Sequence, residues 1–285
     1  MIQIKTFLPL LILSFLVLFR AETRAALVIM PLGDSITEGG GAGNPTNQSG
    51  YRDQLFTDLN NENIAFSFTG TSTNYASAQL IAAGDQYHNG KSGYTLGDID
   101  SNLTVSNGTP EIFGVAAYPN VVLLMGGTND IQFNETVAQT EANMTNVLTW
   151  FKTNLPNTSV LVGEVIPYDQ TSTLKMATYD AEIQQFNSWL TTAVPSYGSQ
   201  FHLVDTYDSF ISPDGTINSS LFVDGIHPTA AGVSGQFSGY EDLGNDFNAA
   251  IEADVVPEPS SLSLLAAGFL LMGFACYRSK RIGTP

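Results

Sequence analysis

Five residue types in this chain sit where they could do acyl-transfer chemistry. Ser35 follows the apolar run Leu27–Leu32 and is flanked by Gly33 and Gly39. A serine hydroxyl attacks a carbonyl only when a base takes its proton; on its own, an Asp-Ser pair after a strand reads equally as a helix cap. His227 is a candidate base, because Asp224 lies three residues before it and could fix its tautomer and stabilise its charged form. Asp85 and His88 repeat that spacing, so spacing alone leaves two candidate bases. His202 opens a predicted strand and reads as structural. Asn129 and Gly93 are candidate donors to a developing oxyanion, the first through its side-chain amide and the second through an unobstructed backbone N–H.

These residues need a scaffold that brings distant segments together. Apolar runs predict strands over 27–32, 64–69, 121–125, 159–165 and 201–204. Between them lie helical patterns. Tyr51, Leu55 and Leu59 recur every fourth residue. Met144, Val147, Leu148, Phe151 and Leu155 mark a helix ending before Pro156. Tyr179, Ile183, Phe186, Leu190 and Val194 mark another, expected to stop at Pro195, and Tyr240 to Ile251 closes the series. Alternating strands and helices predict an α/β fold, a parallel sheet of about five strands covered on both faces. Reactive groups collect at the carboxyl ends of such strands. Gly33-Asp34-Ser35, Gly127-Thr128-Asn129-Asp130 and Asp224-Gly225-Ile226-His227 all fall there.

The two ends of the 285-residue chain read as sorting segments. Residues 1–25 have a signal-peptide pattern: Lys5, an apolar stretch from Phe7 to Phe19, and small Thr23 and Ala25 before a cut at Ala26. Residues 254–285 carry Val256-Pro257-Glu258-Pro259, an uncharged apolar run over 261–277, and then Arg278, Lys280 and Arg281. That run is long enough to cross a bilayer as a helix, with the cations left on the cytoplasmic side. The three parts in this order resemble the PEP-CTERM sorting signal of Gram-negative bacteria. The resemblance implies an exosortase-type processing partner, transient anchoring in the inner membrane, and delivery to the cell surface or exterior.

The middle segment, 26–253, is expected to be one domain. It holds 4 basic and 24 acidic residues, a balance of −20 against −17 for the whole chain. Such acidity disfavours nucleic acid as a partner. One cysteine, Cys276, excludes an internal disulfide and a multi-thiolate zinc site. The Gly-x-Ser-x-Gly elbow, phosphate-binding loop, dinucleotide fingerprint and His-Glu-x-x-His pattern are all missing from the sequence. No cofactor is expected.

Four blocks in order resemble the SGNH (GDSL-type) hydrolase family: Gly33-Asp34-Ser35-Ile36-Thr37-Glu38-Gly39, Gly90-Lys91-Ser92-Gly93-Tyr94-Thr95, Gly127-Thr128-Asn129-Asp130 and Asp224-Gly225-Ile226-His227-Pro228. The resemblance implies a three-layer α/β/α sandwich of flavodoxin-like SGNH type. It implies Ser35 as nucleophile, His227 as base, Asp224 as its orienting carboxylate, and Ser35, Gly93 and Asn129 as the oxyanion hole. It sets His88 aside as the base, and it implies that Asp34 and Asp130 brace loops. The run Met30–Thr37, the pair Tyr51-Arg52, the stretch His88–Thr95 and Pro119-Asn120 are similar to carbohydrate esterase family 3, the acetylxylan-esterase-like branch. Asn89 departs from that branch, where glutamate is common. The implied activity is hydrolysis of O-acetyl or other O-acyl esters on carbohydrate. A lipase- or lysophospholipase-like esterase and a silent glycan-binding surface module are the alternatives. The sequence leaves the oligomeric state open.

Overall fold

A computed structural model describes residues 26–40, 48–104, 118–169, 174–230 and 238–255. The signal-peptide and sorting-segment readings, including the span expected at 261–277, lie outside the described residues. Residues 26–255 form one compact unit.

In chain order the elements are β1 (Leu27–Gly33), α1 (Ser35–Glu38), α2 (Arg52–Asn61), β2 (Phe66–Phe68), α3 (Ala78–Ala83), β3 (Asn89–Gly90) and α4 (Leu96–Leu103). There follow β4 (Val121–Met125), α5 (Thr128–Gln132), α6 (Val137–Asn154), β5 (Ser159–Gly163), α7 (Leu174–Ser196), β6 (Phe201–Val204) and α8 (Gly239–Ala250). The sheet order is β2-β1-β4-β5-β6, with β3 paired to β1 beyond the end of β2, and every pairing is parallel. Parallel neighbours need a crossover between them, and the helices supply it.

The strands are apolar because both faces of the sheet are covered. All five side chains of β4 are fully buried. Successive residues point to opposite faces. Met30, Leu32, Val122, Leu124, Val160 and Val162 therefore join one cluster with α4, α6 and α7. Ile29, Leu123 and Leu161 are buried on the other face. There α2 packs on α8, with the Tyr51 and Phe247 rings 5.0 Å apart. At roughly 1.5–3 kcal/mol for each fully buried large aliphatic side chain, β4 alone contributes on the order of 10 kcal/mol.

Three helix starts are fixed by reciprocal side-chain caps. Thr95 and Asp98, Thr136 and Gln139, and Ser238 and Glu241 form reciprocal capping boxes at α4, α6 and α8. One expected boundary is corrected. α7 does not stop at Pro195 but includes it and ends at Ser196. A proline in the final turn removes a single hydrogen bond where the helix is already ending, so the chain turns only afterwards, at Gly198 with φ +128°. The two-residue strand β3 is the one strand that apolar patterning does not reveal, since Asn89 and Gly90 carry no apolar signal.

Candidate active site

β1 delivers the first block. A Cβ on Gly33 would lie 2.2 Å from the Met125 carbonyl oxygen and 2.5 Å from Thr37 Oγ1, so only glycine lets the turn fold back on the strand. Asp34 caps α1 by accepting the Ile36 N–H at 2.9 Å. Ser35 is the first helical residue, 6 % exposed. Gly39, at φ +92°, ends the helix after a single turn.

Residues 224–227 meet Ser35 from the far end of the chain. Their loop is closed by Val223 N–H donating to the His227 carbonyl at 3.0 Å. The Gly225 carbonyl accepts from Asp169 N–H at 3.0 Å, which ties the loop to the segment after β5. Ser35 Oγ lies 2.9 Å from His227 Nε2, and His227 Nδ1 lies 2.8 Å from Asp224 Oδ2. Asp224 Oδ1 accepts the backbone N–H groups of Ile226 (3.1 Å) and His227 (2.8 Å). Partial burial works against its charge, but the bonds from the His227 ring and backbone and from Ile226 hold its carboxyl down at about 2. An ionised carboxylate can only accept. The Nδ1 proton therefore points at Asp224, and the Nε2 lone pair faces the Ser35 hydroxyl.

The second and third blocks close on the same spot. Lys91 N–H donates to the Gly33 carbonyl at 3.1 Å, and Gly90 pairs with Gly33 in register. Gly93 sits in the following turn at φ +79°, a conformation that favours glycine. Its neighbours are tied on both sides. Ser92 N–H donates to Glu38 Oε2 at 3.0 Å, and the Tyr94 carbonyl accepts from Asn129 Nδ2 at 2.9 Å. Asn129, at the start of α5, is 5 % exposed. Asp130 takes the Leu96 N–H on both carboxyl oxygens (3.1 and 2.9 Å) and so anchors the start of α4 behind the turn. Burial raises both Asp34 and Asp130 to about 6.

The two Asp-x-x-His pairs now differ. Asp85 Oδ1 is occupied by the Phe68 N–H at 3.0 Å and does not orient His88. His88 Nδ1 accepts from Gly90 N–H at 3.0 Å, which leaves Nε2 to donate to the Asn74 carbonyl at 3.1 Å. Burial, aided by nearby Arg52, lowers its pKa to about 2. It is a neutral bracket for β3. His202, on β6, pairs with Asp254 at 3.3 Å, away from the blocks.

Two residues matter more than their sequence context suggests. Glu38 is buried and accepts from Asn74 Nδ2 (2.9 Å) as well as from Ser92 N–H, joining α1 to the second block. Arg52 is fully buried, its guanidinium donating to the carbonyls of Gln86 (3.1 Å), Glu38 (3.1 Å) and Asn74 (3.4 Å). Burial lowers it to about 10, still charged at neutral pH. The available signals were that Arg52 stands in the quoted pair Tyr51-Arg52 and is the only Lys or Arg between Ala26 and Gly90.

The arrangement can therefore take a proton from Ser35 through a carboxylate-oriented imidazole, with backbone and amide N–H groups near by. Among the described residues, no group of three or more His, Cys, Asp or Glu side chains is set to hold a metal ion. Among them, too, no helix is long and apolar enough to cross a membrane.

Comparison with known proteins adds the following. A family model described as the GDSL-like Lipase/Acylhydrolase family matches residues 32–233. A PEP-CTERM protein-sorting motif matches residues 255–281. A search of curated proteins finds no match. Among solved structures, the chain is similar to a family 3 carbohydrate esterase from Clostridium thermocellum, with 24% identity, a TM-score of 0.57, and coverage of 80% of this chain and 96% of that one. A carbohydrate esterase family 3 protein from Talaromyces cellulolyticus gives 21% identity and a TM-score of 0.55, covering 79% and 96%. An acetyl xylan esterase from Geobacillus stearothermophilus gives 16% identity and a TM-score of 0.55, covering 82% and 98%. At these identities the likeness is one of fold.

Proposed function

The chain belongs to the GDSL-like lipase/acylhydrolase family, and from that premise we propose that it is an exported serine esterase acting on O-acetyl groups of carbohydrate. The observation that carries the reading is the continuous chain Ser35 Oγ–His227 Nε2 (2.9 Å) and His227 Nδ1–Asp224 Oδ2 (2.8 Å).

Ser35 Oγ attacks the ester carbonyl while His227 Nε2 takes its proton. The carbonyl π electrons move to the oxygen, which the N–H groups of Ser35 and Gly93 and the amide of Asn129 stabilise. Collapse of this intermediate breaks the bond to the alcohol oxygen, which leaves with the proton from His227. An acetyl-Ser35 ester remains. Water, deprotonated by His227, attacks it, and acetate departs as Ser35 regains its hydrogen. Asp224 stays ionised throughout, holding the imidazole in one tautomer and stabilising its cation.

The carbohydrate assignment is supported by the second-block sequence and by the fold likeness to carbohydrate and acetyl xylan esterases. The −20 balance of residues 26–253 suits a neutral glycan better than an anionic surface. The PEP-CTERM motif implies export and exosortase-type processing. We place signal cleavage before Ala26 and the sorting segment at 254–285.

The test is acetate release from 4-nitrophenyl acetate and acetylated xylan by the purified protein. Ser35→Ala should abolish both, and undiminished turnover in that variant would refute the nucleophile. A longer acyl group is the second reading. It is favoured by Phe133, a 57% exposed aromatic ring at the residue that ends α5, four residues after Asn129. A chain-length series of nitrophenyl esters separates the two: a fall in kcat/KM beyond acetate supports the deacetylase.

A further inference from the structure

The reaction as drawn uses Asp34 only as a helix cap, yet the residue is an acid held entirely out of water, with 0% of its surface exposed. One of its two carboxyl oxygens is bonded: Oδ1 accepts the Ile36 N–H at 2.9 Å. Oδ2 is buried and makes no hydrogen bond among the described residues. An asparagine would make the same cap without burying a charge. A cap therefore does not account for an acid here.

The surroundings point to the base. The next residue is Ser35, whose Oγ lies 2.9 Å from His227 Nε2. Asp224 meets the same ring at Nδ1, at 2.8 Å. The imidazole thus has one carboxylate bonded at Nδ1 and a second one residue removed from its contact at Nε2. Burial raises the Asp34 carboxyl, while the Ile36 N–H, the positive charge of His227 and the nearby Thr128 hydroxyl lower it; like-charged Asp130 raises it again, leaving it at about 6. The phenols of Tyr51, Tyr168 and Tyr240 also face Asp34, and burial raises each of them, so they stay neutral. His227 is the cation that acts on Asp34. The interaction of two charges belongs to both, so an anion favoured by the imidazolium favours the imidazolium equally.

We propose that Asp34 is a positioning residue for the base, its buried carboxylate stabilising from the Nε2 side the imidazolium that His227 becomes on taking the Ser35 proton. The proposal rests on the esterase reading for the reaction, whereas the pairing of the two charges stands without it. Asp34 touches neither the ester nor the attacking oxygen. It acts through His227, and so on the pH range over which the base is ready.

The direct readout is the titration of His227, followed by NMR in protein carrying isotope-labelled histidine. Asp34→Asn keeps an oxygen for the Ile36 N–H and loses the charge. The His227 midpoint should fall by about one pH unit, the size expected for charges several ångströms apart at the effective dielectric of such sites. His202, paired with Asp254 away from the blocks, should not move. The acid limb of kcat/KM for 4-nitrophenyl acetate should shift down with His227. Tm at about pH 8 should hold or rise, because the variant no longer buries a charge; a purely structural Asp34 would instead lower Tm and leave both midpoints alone. If Asp34→Asn does not fold, Thr128→Val removes a hydroxyl that favours the Asp34 anion and should lower the His227 midpoint by a smaller amount. An unchanged or raised His227 midpoint in a folded variant overturns the proposal. A lowered midpoint with an unmoved acid limb in an active enzyme overturns it too, since the charge would then not act on the reaction. A lowered midpoint in a protein that hydrolyses no ester would uphold the charge pairing and sink the esterase reading.

Discussion

Replacing Asp224 by asparagine isolates the tautomer argument from the fold. Asp224 Oδ1 accepts two backbone N–H groups, at 3.1 and 2.8 Å, and Oδ2 faces the imidazole. An asparagine can place its carbonyl oxygen at either position. With the oxygen toward the backbone, both turn bonds survive and the NH₂ faces His227 Nδ1. The reverse orientation sets the NH₂ against two N–H donors and loses about 1 kcal/mol for each bond. The first orientation therefore wins by about 2 kcal/mol. It obliges Nδ1 to accept, which puts the ring proton on Nε2. His227 then offers Ser35 a donor where a lone pair is needed. The expected loss in kcat is about 10⁴-fold, or about 5 kcal/mol of transition-state stabilisation. The assay is steady-state hydrolysis of 4-nitrophenyl acetate, paired with thermal melts. Tm should be close to that of the parent because the turn is intact, whereas Asp224→Ala, which loses the turn bonds as well, should melt lower. A kcat loss below about tenfold in Asp224→Asn would refute the reasoning.

Three further outcomes follow from the same geometry. Glu38→Gln keeps the shape but cannot accept both Asn74 Nδ2 and Ser92 N–H; it should lose about 1–3 kcal/mol of stability in denaturant melts and lower kcat. His88→Ala strips Gly90 N–H of its side-chain partner and leaves the Asn74 carbonyl to Arg52 alone, so Tm should fall while the kcat of folded protein persists, the opposite of His227→Ala. Burial raises Glu164 and Asp246 to about 7, each with neighbouring carboxylates adding to the shift, and Asp34 and Asp130 to about 6. The folded chain therefore holds more protons than the unfolded chain from about pH 4 to pH 7, and stability falls as pH rises through that window. Asp224 and His88 have the opposite sign: Asp224 acts only in acid below its ordinary range, and His88, lowered to about 2, is one group against four raised carboxylates. Melts should give a higher Tm at pH 5 than at pH 8.

Much of this was readable before any coordinates, and the exceptions have physical causes. Strands such as Val121–Met125 announce themselves because burial on both faces demands an unbroken apolar run. β3 is silent because its two residues are chosen for close approach: a Cβ on Gly90 would lie 2.3 Å from the Glu38 nitrogen. The pairing of Ser35 with Asp224 and His227 was implied by block order, yet spacing could not rank Asp224-His227 over Asp85-His88. What separates them is where each carboxylate is used, on Phe68 N–H in one case and on an imidazole in the other. The bonding roles of Glu38 and Arg52 were hidden for a related reason, although both stand in stretches that carry the family resemblance. A charged residue in a polar stretch reads as solvated, and only the fold shows that three carbonyls enclose the guanidinium.

The distance along the chain between Ser35 and His227, its proposed base, has a consequence for biogenesis. The two are in contact although 192 residues separate them. A polypeptide made and threaded across a membrane from its N-terminus presents the nucleophile among the earliest residues of the domain and the imidazole near the end. All six strands among the described residues are available once Val204 has emerged, before the imidazole that is the proposed base of Ser35. Reactivity arrives only with residues 224–227, when nearly the whole unit stands on the far side. On the proposed roles of Ser35 and His227, esters in the compartment of synthesis meet no finished site, and a chain cut short after the last strand lacks both the imidazole and α8, which packs on α2 over one face of the sheet.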